Sequence, residues 1–241
     1  MLLDELESQP MNQPPAPAEQ PRAVIVADND AQPTGHAPPK SANIHWNQGK
    51  VTPEQRTERN GHPGCVVWLT GLSGSGKTTV AIELERELFN LGRHACILDG
   101  DNLRHGLCSD LGFSQSDRKE NIRRAGEVAR LFADAGIICI TAFISPYRSG
   151  RELARRTAPP GRFLEIYTNA PIEVCEQRDP KGLYAKARRG EIKEFTGISA
   201  PYETPLEPEL ELRTDRFSVG ECVCAILGRL NPTSGLQPEV A

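Results

Sequence analysis

Residues 65–78 read Cys-Val-Val-Trp-Leu-Thr-Gly-Leu-Ser-Gly-Ser-Gly-Lys-Thr. The last eight residues fit the pattern Gly-x4-Gly-Lys-[Ser/Thr], with Lys77 and Thr78 in register. The six residues before the pattern form a continuous apolar run, which is typical of a buried strand. After the pattern, apolar residues recur at helical spacing up to residue 91. A strand, a glycine-rich loop and a helix in this order predict a phosphate-binding site.

The residue types of this loop suit phosphate groups. Glycines lack a Cβ atom, so the backbone can curl until successive N–H groups point into one concavity, above the positive end of the helix dipole. Lys77 supplies a charge for the β- and γ-phosphates, and the Thr78 hydroxyl can ligate Mg²⁺. The competing interpretation is a glycine- and serine-rich turn that happens to precede a helix, but the lysine, the hydroxyl residue and both flanks argue against it. The predicted nucleotide-binding residues are Gly71, Leu72, Ser73, Gly74, Ser75, Gly76, Lys77, Thr78 and Thr79, with Thr78 as the metal ligand.

The composition indicates one globular domain. The chain has 241 residues, of which 38% are hydrophobic and 25% are charged, and its formal net charge is -4. This length suits one α/β domain plus a tail. The mild acidity, and the lack of any run of five basic residues, argue against nucleic acid as a partner. Since no apolar stretch approaches the ~20 residues that span a bilayer, no membrane partner is expected.

The seven cysteines are an odd number and lack the spacing of metal ligands. Cys65, Cys96, Cys139 and Cys175 lie in apolar runs, where cysteine behaves as a small hydrophobic residue. This usage suits a reducing compartment better than a disulfide framework. The first residues, Met-Leu-Leu-Asp-Glu, do not resemble a signal peptide. A cytoplasmic location is therefore expected.

Composition also divides the chain into segments. Residues 1–41 are predicted to be a disordered, proline-rich tail, because they cannot bury enough apolar surface to offset their ordering entropy. Residues 42–231 are predicted to form the domain, with Trp46 anchoring its first segment, and residues 232–241 a flexible C terminus. Within the domain, residues 181–205 carry sparse apolar positions and several basic ones, which predicts a mobile lid rather than core.

Apolar strands alternate with amphipathic helices throughout the domain. Strands are predicted at 65–70, 95–98, 137–144, 163–167 and 209–212, and helices at 79–91, 118–135, 148–156, 172–178 and 219–230. This alternation predicts an α/β fold in three layers, a parallel sheet with helices on both faces. In such a fold, functional residues gather beyond the carboxyl ends of the strands.

Two carboxylates, Asp99 and Asp101, follow the second predicted strand directly. Two carboxylates held this close repel each other, which is energetically unfavourable unless they bind a cation or one of them acts as a base. Asp101 is the candidate to orient and deprotonate an acceptor hydroxyl, and Asp99 could hold Mg²⁺ through water. The alternative for both is a turn or a helix cap around Gly100.

Several arginines could clamp an anionic group near the same edge of the sheet. Arg104, Arg118 and Arg148 can each bind an anion in a bidentate manner. A solvated surface role is the alternative for any one of them.

Several separate motifs resemble those of the adenylylsulfate kinase family and follow in the same order. They are Asp-Gly-Asp-Asn-Leu-Arg-His-Gly-Leu at 99–107, Leu-Gly-Phe-Ser at 111–114, Asp-Arg-Lys-Glu-Asn-Ile-Arg-Arg at 117–124, Ile-Ser-Pro-Tyr-Arg at 144–148, Lys-Gly-Leu-Tyr at 181–184 and Phe-Thr-Gly at 195–197. The resemblance covers about residues 42–230 and implies a P-loop NTPase-type fold with a mobile lid. The chain departs from the family pattern after Arg148 and after Ile198, where acidic residues are usual; these departures affect the rim and the lid rather than the reaction.

The resemblance implies a kinase that moves the γ-phosphate of ATP, with Mg²⁺, to the 3′-hydroxyl of adenosine 5′-phosphosulfate (APS). The product would be 3′-phosphoadenosine 5′-phosphosulfate (PAPS). The catalytic residues that it implies are Ser145, Asp101 and Lys77. The implied APS-binding residues are Asp101, Asn102, Arg104, Phe113, Arg118, Asn121, Ile144, Ser145, Lys181 and Phe195. Phe113 and Phe195 would sandwich the adenine, with ordinary core packing as the alternative for both.

Two further expectations come from the resemblance. The family commonly has Ser145 recorded as a phosphoserine intermediate, which would make the chain a phosphoprotein. However, no histidine or lysine base stands beside it in sequence, and a hydroxyl that contacts APS is equally compatible. The implied partners are a second copy, in a homodimer, and a separate ATP sulfurylase chain.

Two other classes of function compete with this interpretation. A different P-loop kinase, acting on a sugar or nucleotide, would share the loop and the lid but need not combine Phe113, Arg118 and Asn121. A nucleotide-dependent switch that reads guanine would want an Asn-Lys-x-Asp motif, which the sequence lacks.

Overall fold

The computed structural model describes residues 41–45, 47 and 49–230. Nearly all of the tail predicted at 1–41, the C terminus predicted at 232–241, and the predicted anchor Trp46 lie outside the described residues. The described residues form a sheet of five parallel strands in the order β2-β3-β1-β4-β5. The strands are β1 (Cys65–Thr70), β2 (Ala95–Asp99), β3 (Ile138–Ala142), β4 (Phe163–Asn169) and β5 (Leu210–Arg213).

Eight helices connect and cover the described strands. They are α1 (Pro53–Asn60), α2 (Lys77–Asn90), α3 (Gly100–Leu103), α4 (Gln115–Asp134), α5 (Arg148–Thr157), α6 (Ile172–Arg178), α7 (Leu183–Arg188) and α8 (Val219–Leu230). The five strands and five helices predicted from the sequence are confirmed, with boundaries that differ by a few residues. The three additional helices, α1, α3 and α7, are short, with eight, four and six residues.

The side chains of β1 show why the domain has three layers. Val67 and Leu69 point to one face of the sheet, where they pack with α2 and α8, while Val66 and Trp68 point to the other face, against α4 and α5. Successive strand residues alternate between faces, so a strand that is apolar throughout is buried on both sides. The predicted three-layer α/β fold is confirmed.

Residues 181–205 contain more buried structure than predicted. Tyr184, Ala187 and Phe195 are buried and pack with Cys175 into a small third cluster, separate from the two main cores. The prediction that this stretch lacks a core is therefore wrong. The buried side chains of α7 pack in this cluster with Leu72 of the phosphate loop and Ile172 of α6.

All seven cysteines are free thiols, and five of them are buried. Burial raises the pKa of Cys65 to about 12 and holds that of Cys139 above its usual range. These thiols are therefore protonated and pack as small apolar groups, as the sequence predicts. No helix in the described part of the chain is long and apolar enough to cross a membrane.

Candidate active site

The phosphate loop joins the end of β1 to the start of α2. Gly71 and Gly74 adopt positive φ values of 153° and 75°. A Cβ atom at Gly71 would lie 2.4 Å from Thr168 Oγ1, and one at Gly74 would lie 2.7 Å from the carbonyl oxygen of Cys175. Both positions therefore require glycine for conformation and for space, and the backbone there approaches β4 and α6 closely.

Lys77 is the first residue of α2 and is buried. Its Nζ donates to the carbonyl oxygens of Gly71, at 3.0 Å, and Leu72, at 2.7 Å. Burial lowers the pKa of Lys77 to about 8, against partial compensation by Cys175 and Asp99. The loop thus holds the ammonium group of Lys77 where water solvates it poorly. A bound anion would offset the desolvation free energy of this charge.

A hydroxyl and a carboxylate meet beside the loop. Thr78 Oγ1 donates to Asp99 Oδ2 at 2.9 Å. The other oxygen, Asp99 Oδ1, accepts from the backbone N–H of Asp101 at 2.9 Å and caps α3. One oxygen of Asp99 therefore caps a helix, while the other faces Thr78, the residue predicted to ligate Mg²⁺.

Asp101 lies two residues further along the chain, in the first turn of α3. Its Oδ2 accepts a hydrogen bond from Lys181 Nζ, and the two side chains are 62% and 58% exposed. This contact joins the end of β2 to the start of the stretch predicted as a lid. Two residues assigned to the same pocket from distant motifs are thus in direct contact.

Arg118 connects two loops that carry the predicted adenine-binding phenylalanines. Its Nε donates to the carbonyl oxygen of Phe113 at 2.8 Å, and its Nη1 donates to Thr196 Oγ1 at 2.6 Å, while Nη2 also donates to the carbonyl of Glu194. The guanidinium of Arg104 lies 4.2 Å from the centre of the Phe113 ring, which is 65% exposed. Phe113 is therefore an accessible aromatic face that is already supported from one side by a cation.

Asn121 and Phe195 are more buried than Phe113. Asn121 Oδ1 has no hydrogen-bond partner among the described residues, although it is buried and the residue lines the cleft. A buried carbonyl oxygen without a donor is costly, so a ligand N–H or O–H is its expected partner. Phe195 makes an edge-to-face contact with Tyr184 at 4.9 Å between ring centres, so it combines core packing with a place in the cleft wall.

Ser145 follows β3 in a turn with φ of 39°, a left-handed conformation that is unusual for a residue other than glycine. Its buried Oγ accepts from Trp68 Nε1 at 3.2 Å and donates to Thr70 Oγ1 at 2.8 Å. Among the described residues, no histidine, lysine or carboxylate contacts this hydroxyl. A serine nucleophile needs such a base beside it, so the geometry favours a pocket hydroxyl over a covalent intermediate.

These groups surround one cleft of ≈ 1540 Å³ at the carboxyl edge of the sheet. All ten residues predicted to bind APS line it. Of the nine predicted nucleotide-binding residues, six line the cleft, namely Ser73, Gly74, Gly76, Lys77, Thr78 and Thr79. Gly71, Leu72 and Ser75 do not, and Ser75 Oγ instead bonds to Thr168 Oγ1 at 2.8 Å beneath the loop.

Arg148 is the exception among the proposed anion-binding arginines. It does not line the cleft, and its Nε donates to the carbonyl oxygen of Thr204 at 2.8 Å. The prediction that Arg148 clamps an anionic substrate is therefore wrong. It begins α5, and its side chain reaches Thr204, near the end of the stretch predicted as a lid.

Residues that line the cleft beside the phosphate loop were missed from the sequence. Arg178, at the end of α6, donates to the carbonyl oxygens of Thr214, at 2.6 Å, and Gly74, at 3.3 Å. Thr214 Oγ1 donates to the carbonyl of Ser75 at 2.8 Å, and Phe217 lines the same wall. They belong to no recognised motif, so the sequence offered no signal beyond their position after helix or strand ends.

A phosphate loop on a parallel sheet, a hydroxyl–carboxylate pair, and a second carboxylate in one cleft define a P-loop kinase. The model of the adenylylsulphate kinase family matches residues 63–213 of the chain. The chain therefore belongs to the adenylylsulfate kinase family.

Relatives named adenylyl-sulfate kinase match this chain over most of their own length. The adenylyl-sulfate kinase of Staphylococcus haemolyticus is 58% identical over 188 residues, which cover 78% of this chain and 94% of the relative. That of Marinobacter nauticus is 55% identical over 189 residues, or 78% of this chain and 95% of the relative. The APS kinase of Mycobacterium tuberculosis, solved in complex with AMPPNP and APS, superposes with a TM-score of 0.67 at 48% identity, covering 71% of this chain and 99% of that one.

Proposed function

We propose that this cleft performs the family's reaction through the residues assigned above. The enzyme transfers the γ-phosphate of ATP to the 3′-hydroxyl of APS and forms PAPS, a step in sulfate assimilation. One observation carries the residue assignment: a single cleft brings the phosphate loop together with Asp101 and with all the other residues expected to bind APS. Donor and acceptor sites would therefore share one cleft, as direct transfer requires.

Mg²⁺ fits the donor set beside the loop. In kinases, this ion is commonly held by a hydroxyl, one or two carboxylates, water and the phosphates themselves, rather than by a protein cage. Thr78 Oγ1 and Asp99 Oδ2, 2.9 Å apart, supply this pattern. The described residues contain no group of three or more His, Cys, Asp or Glu side chains placed to hold a metal, so the nucleotide would complete the site. The bound ion would neutralise charge on the β- and γ-phosphates.

Asp101 is the group proposed to orient the acceptor hydroxyl and take its proton. Its partner Lys181 is equally exposed, so the contact is easily exchanged for a contact with substrate. When APS enters, Lys181 can turn to the anionic phosphosulfate and leave the Asp101 carboxylate to the 3′-hydroxyl. Lys77, on the opposite side, would stabilise the charge that the γ-phosphoryl group carries during transfer.

The remaining residues would recognise APS by shape and charge. The exposed face of Phe113 would stack on the adenine, with Phe195 in the opposite wall. Arg104 supports Phe113, and Arg118 fixes the two loops, so these arginines would order the adenine site and also add positive charge near the phosphosulfate. Asn121 Oδ1 would receive a hydrogen bond from the substrate. Asn102, Ile144 and Ser145 would complete the wall.

The direct test of this function is ADP release with Mg-ATP in the presence and absence of APS. APS-dependent release, accompanied by formation of PAPS, is the expected result. If APS did not change the rate of ADP release but a sugar or another nucleotide increased it, the protein would be a different small-molecule kinase. ATP binding with no turnover on any acceptor would favour a nucleotide-binding module.

Phe113→Ala is expected to raise the KM for APS about tenfold, because base-aromatic stacking contributes roughly 1–3 kcal/mol per base. The KM for ATP should stay unchanged, since the phosphate loop is untouched. Phe89→Ala is the matched control: Phe89 is also an exposed phenylalanine, at 78%, but lies on α2 outside the cleft. Equal effects of the two substitutions, measured in initial-rate assays, would contradict an adenine site at Phe113.

ATP binding is expected to take up a proton above about pH 8. The pKa of Lys77 is lowered to about 8 by burial in the free protein, and phosphate charge beside it would raise that pKa. Above pH 8, the free lysine is largely neutral and gains its proton on binding, so ATP affinity falls as pH rises, by at most tenfold per unit. Titration calorimetry at about pH 8.5, in buffers with different ionisation heats, measures this uptake. Equal heats in both buffers would contradict it.

A homodimer is proposed from the family resemblance. Large apolar side chains on the described surface, including Leu131 and Leu206, are available for such a contact. Sedimentation at micromolar concentration should give twice the chain mass, and a strict monomer would refute this expectation. A loose complex with a separate ATP sulfurylase is the second proposed contact, and failure of a sulfurylase to co-purify would count against it.

Residues 42–231 are the proposed catalytic domain, and they contain the whole range matched by the family model. Its seven free thiols suit a reducing compartment, so the cytoplasm is the proposed location.

A further inference from the structure

A chain of hydrogen bonds leads from the cleft to a second, shallow groove. Ser145, which lines the cleft, accepts from Trp68 Nε1 at 3.2 Å and donates to Thr70 Oγ1 at 2.8 Å. Thr70 Oγ1 in turn donates to the carbonyl oxygen of Ile144 at 2.8 Å and lies 3.0 Å from the hydroxyl of Tyr202. Tyr202 lines the groove, which has a volume of ≈ 610 Å³.

The positions of the protons follow from counting donors. A threonine hydroxyl has one proton and two lone pairs. Because Thr70 gives its proton to the carbonyl of Ile144, the hydroxyl of Tyr202 is the donor in their contact. Thr70 then accepts from both Tyr202 and Ser145 and is fully satisfied. Ser145 has given its own proton to Thr70 and accepted one from Trp68, so its one uncommitted position is a lone pair.

Backbone groups of the segment 202–204 also form hydrogen bonds that fix the turn at Ser145. The N–H of Glu203 donates to the carbonyl of Pro146 at 2.8 Å. The buried guanidinium of Arg151 donates to the carbonyls of Ser145 and Glu203, at 2.7 Å each, and so joins the two segments. A non-glycine residue at φ of 39° persists only where its surroundings fix it, and these contacts do so for Ser145.

We propose that Tyr202 is a positioning residue for the phosphoryl acceptor, which fixes the Ser145 hydroxyl through Thr70 so that Ser145 offers the acceptor a lone pair rather than a proton. This inference rests on the proposed function, since it takes APS to be the molecule beside Ser145. The matching group on APS is a donor, a ribose hydroxyl or the adenine amino group. Burial raises the pKa of Tyr202, so its hydroxyl keeps the proton that it donates.

Tyr202→Phe tests the proposal because it keeps the ring and removes only the hydroxyl. Tyr202 stacks on Tyr167 at 6.0 Å between ring centres, and Tyr167 lines the same groove, so Tyr167→Phe is the matched control. We expect Tyr202→Phe to raise the KM for APS on the order of fivefold, the usual effect of one lost hydrogen bond. The kcat and the KM for ATP should stay within about twofold of wild type, and Tyr167→Phe should change none of the three.

A second readout needs no substrate. The chain has two tryptophans, so the substitution Trp46→Phe leaves Trp68 as the only one. In that background, Tyr202→Phe is expected to shift the emission of Trp68, since the hydroxyl that accepts from its Nε1 loses its fixed orientation. Tyr167→Phe should leave the emission unchanged, and both variants should still unfold in urea in a single cooperative transition.

The outcomes separate the inference from the function on which it rests. An unchanged KM for APS in Tyr202→Phe, or an equal change in Tyr167→Phe, would overturn the positioning role. Unchanged Trp68 emission would overturn the hydrogen-bond chain itself. Failure of the proposed function would appear separately, as wild-type protein that shows no APS-dependent release of ADP.

Discussion

Asp101→Asn is expected to lower kcat on the order of 10²- to 10⁴-fold, the range that general bases contribute. Asparagine keeps the size of the side chain and one acceptor oxygen, but it cannot take the proton of the 3′-hydroxyl. The substitution also removes the anionic partner of Lys181. ATP should bind with unchanged affinity, because Asp99 and the phosphate loop remain. Single-turnover rates with saturating APS, together with an ATP titration, measure both quantities.

Asp110→Asn is the control for this substitution. Asp110 is 60% exposed and paired with Arg124 at 2.6 Å, so it matches Asp101 in exposure and in having a cationic partner. It does not line the cleft. Its replacement should leave turnover unchanged. If Asp110→Asn lost activity as Asp101→Asn does, or if neither lost any, Asp101 would have no special role in the transfer.

The fold was predictable because its signals are local and repeated. Each long strand is a continuous apolar run, and each long helix shows apolar residues at a spacing of three or four. Helix α1 was missed although its signals are present: Thr52 and Gln55 form a capping box, and Pro53 begins the helix. None of its residues is buried, so it has no apolar face to reveal it.

The third apolar cluster shows where local signals fail. Tyr184 and Ala187 are only three residues apart on a six-residue helix, which is too short to display a period. They are buried because Cys175 and Phe195, from other segments, lie against them. Burial of this kind depends on tertiary contacts, which local sequence does not reveal. The stretch has few apolar residues and many basic ones, so its composition predicted an exposed segment.

The arginines show which part of the site could not be predicted from the sequence. The resemblance placed Arg104 and Arg118 at the cleft, as the structure does, but Arg148 bonds to a backbone carbonyl elsewhere and Arg178 was not predicted at all. A guanidinium reaches several ångströms from its backbone, so its direction is set by which carbonyls and carboxylates the neighbouring loops offer. That arrangement exists only once the loops have folded together.

Lys77→Met is expected to lower kcat roughly 10²- to 10³-fold, as the loss of one preorganised charge or donor at a transition state does. Methionine fills the same buried channel with an apolar chain of similar length, so the loop itself should persist. Loss of the buried charge of Lys77 should offset the hydrogen bond that the Gly71 carbonyl loses, so the free energy of unfolding should stay near the wild-type value. The carbonyl of Leu72, which loses Nζ, keeps the backbone N–H of Ser75 at 3.2 Å.

This pairing of lost activity with intact stability distinguishes a charge used in catalysis from one used in folding. Lys119→Met is the control, because Lys119 is exposed on α4, outside the cleft, and should change neither quantity. Rates and urea midpoints are measured on the same preparations. A variant Lys77→Met that turns over at the wild-type rate would refute the role in transfer. One that unfolds at much lower urea would instead mean that Nζ holds the loop together through Gly71 and Leu72.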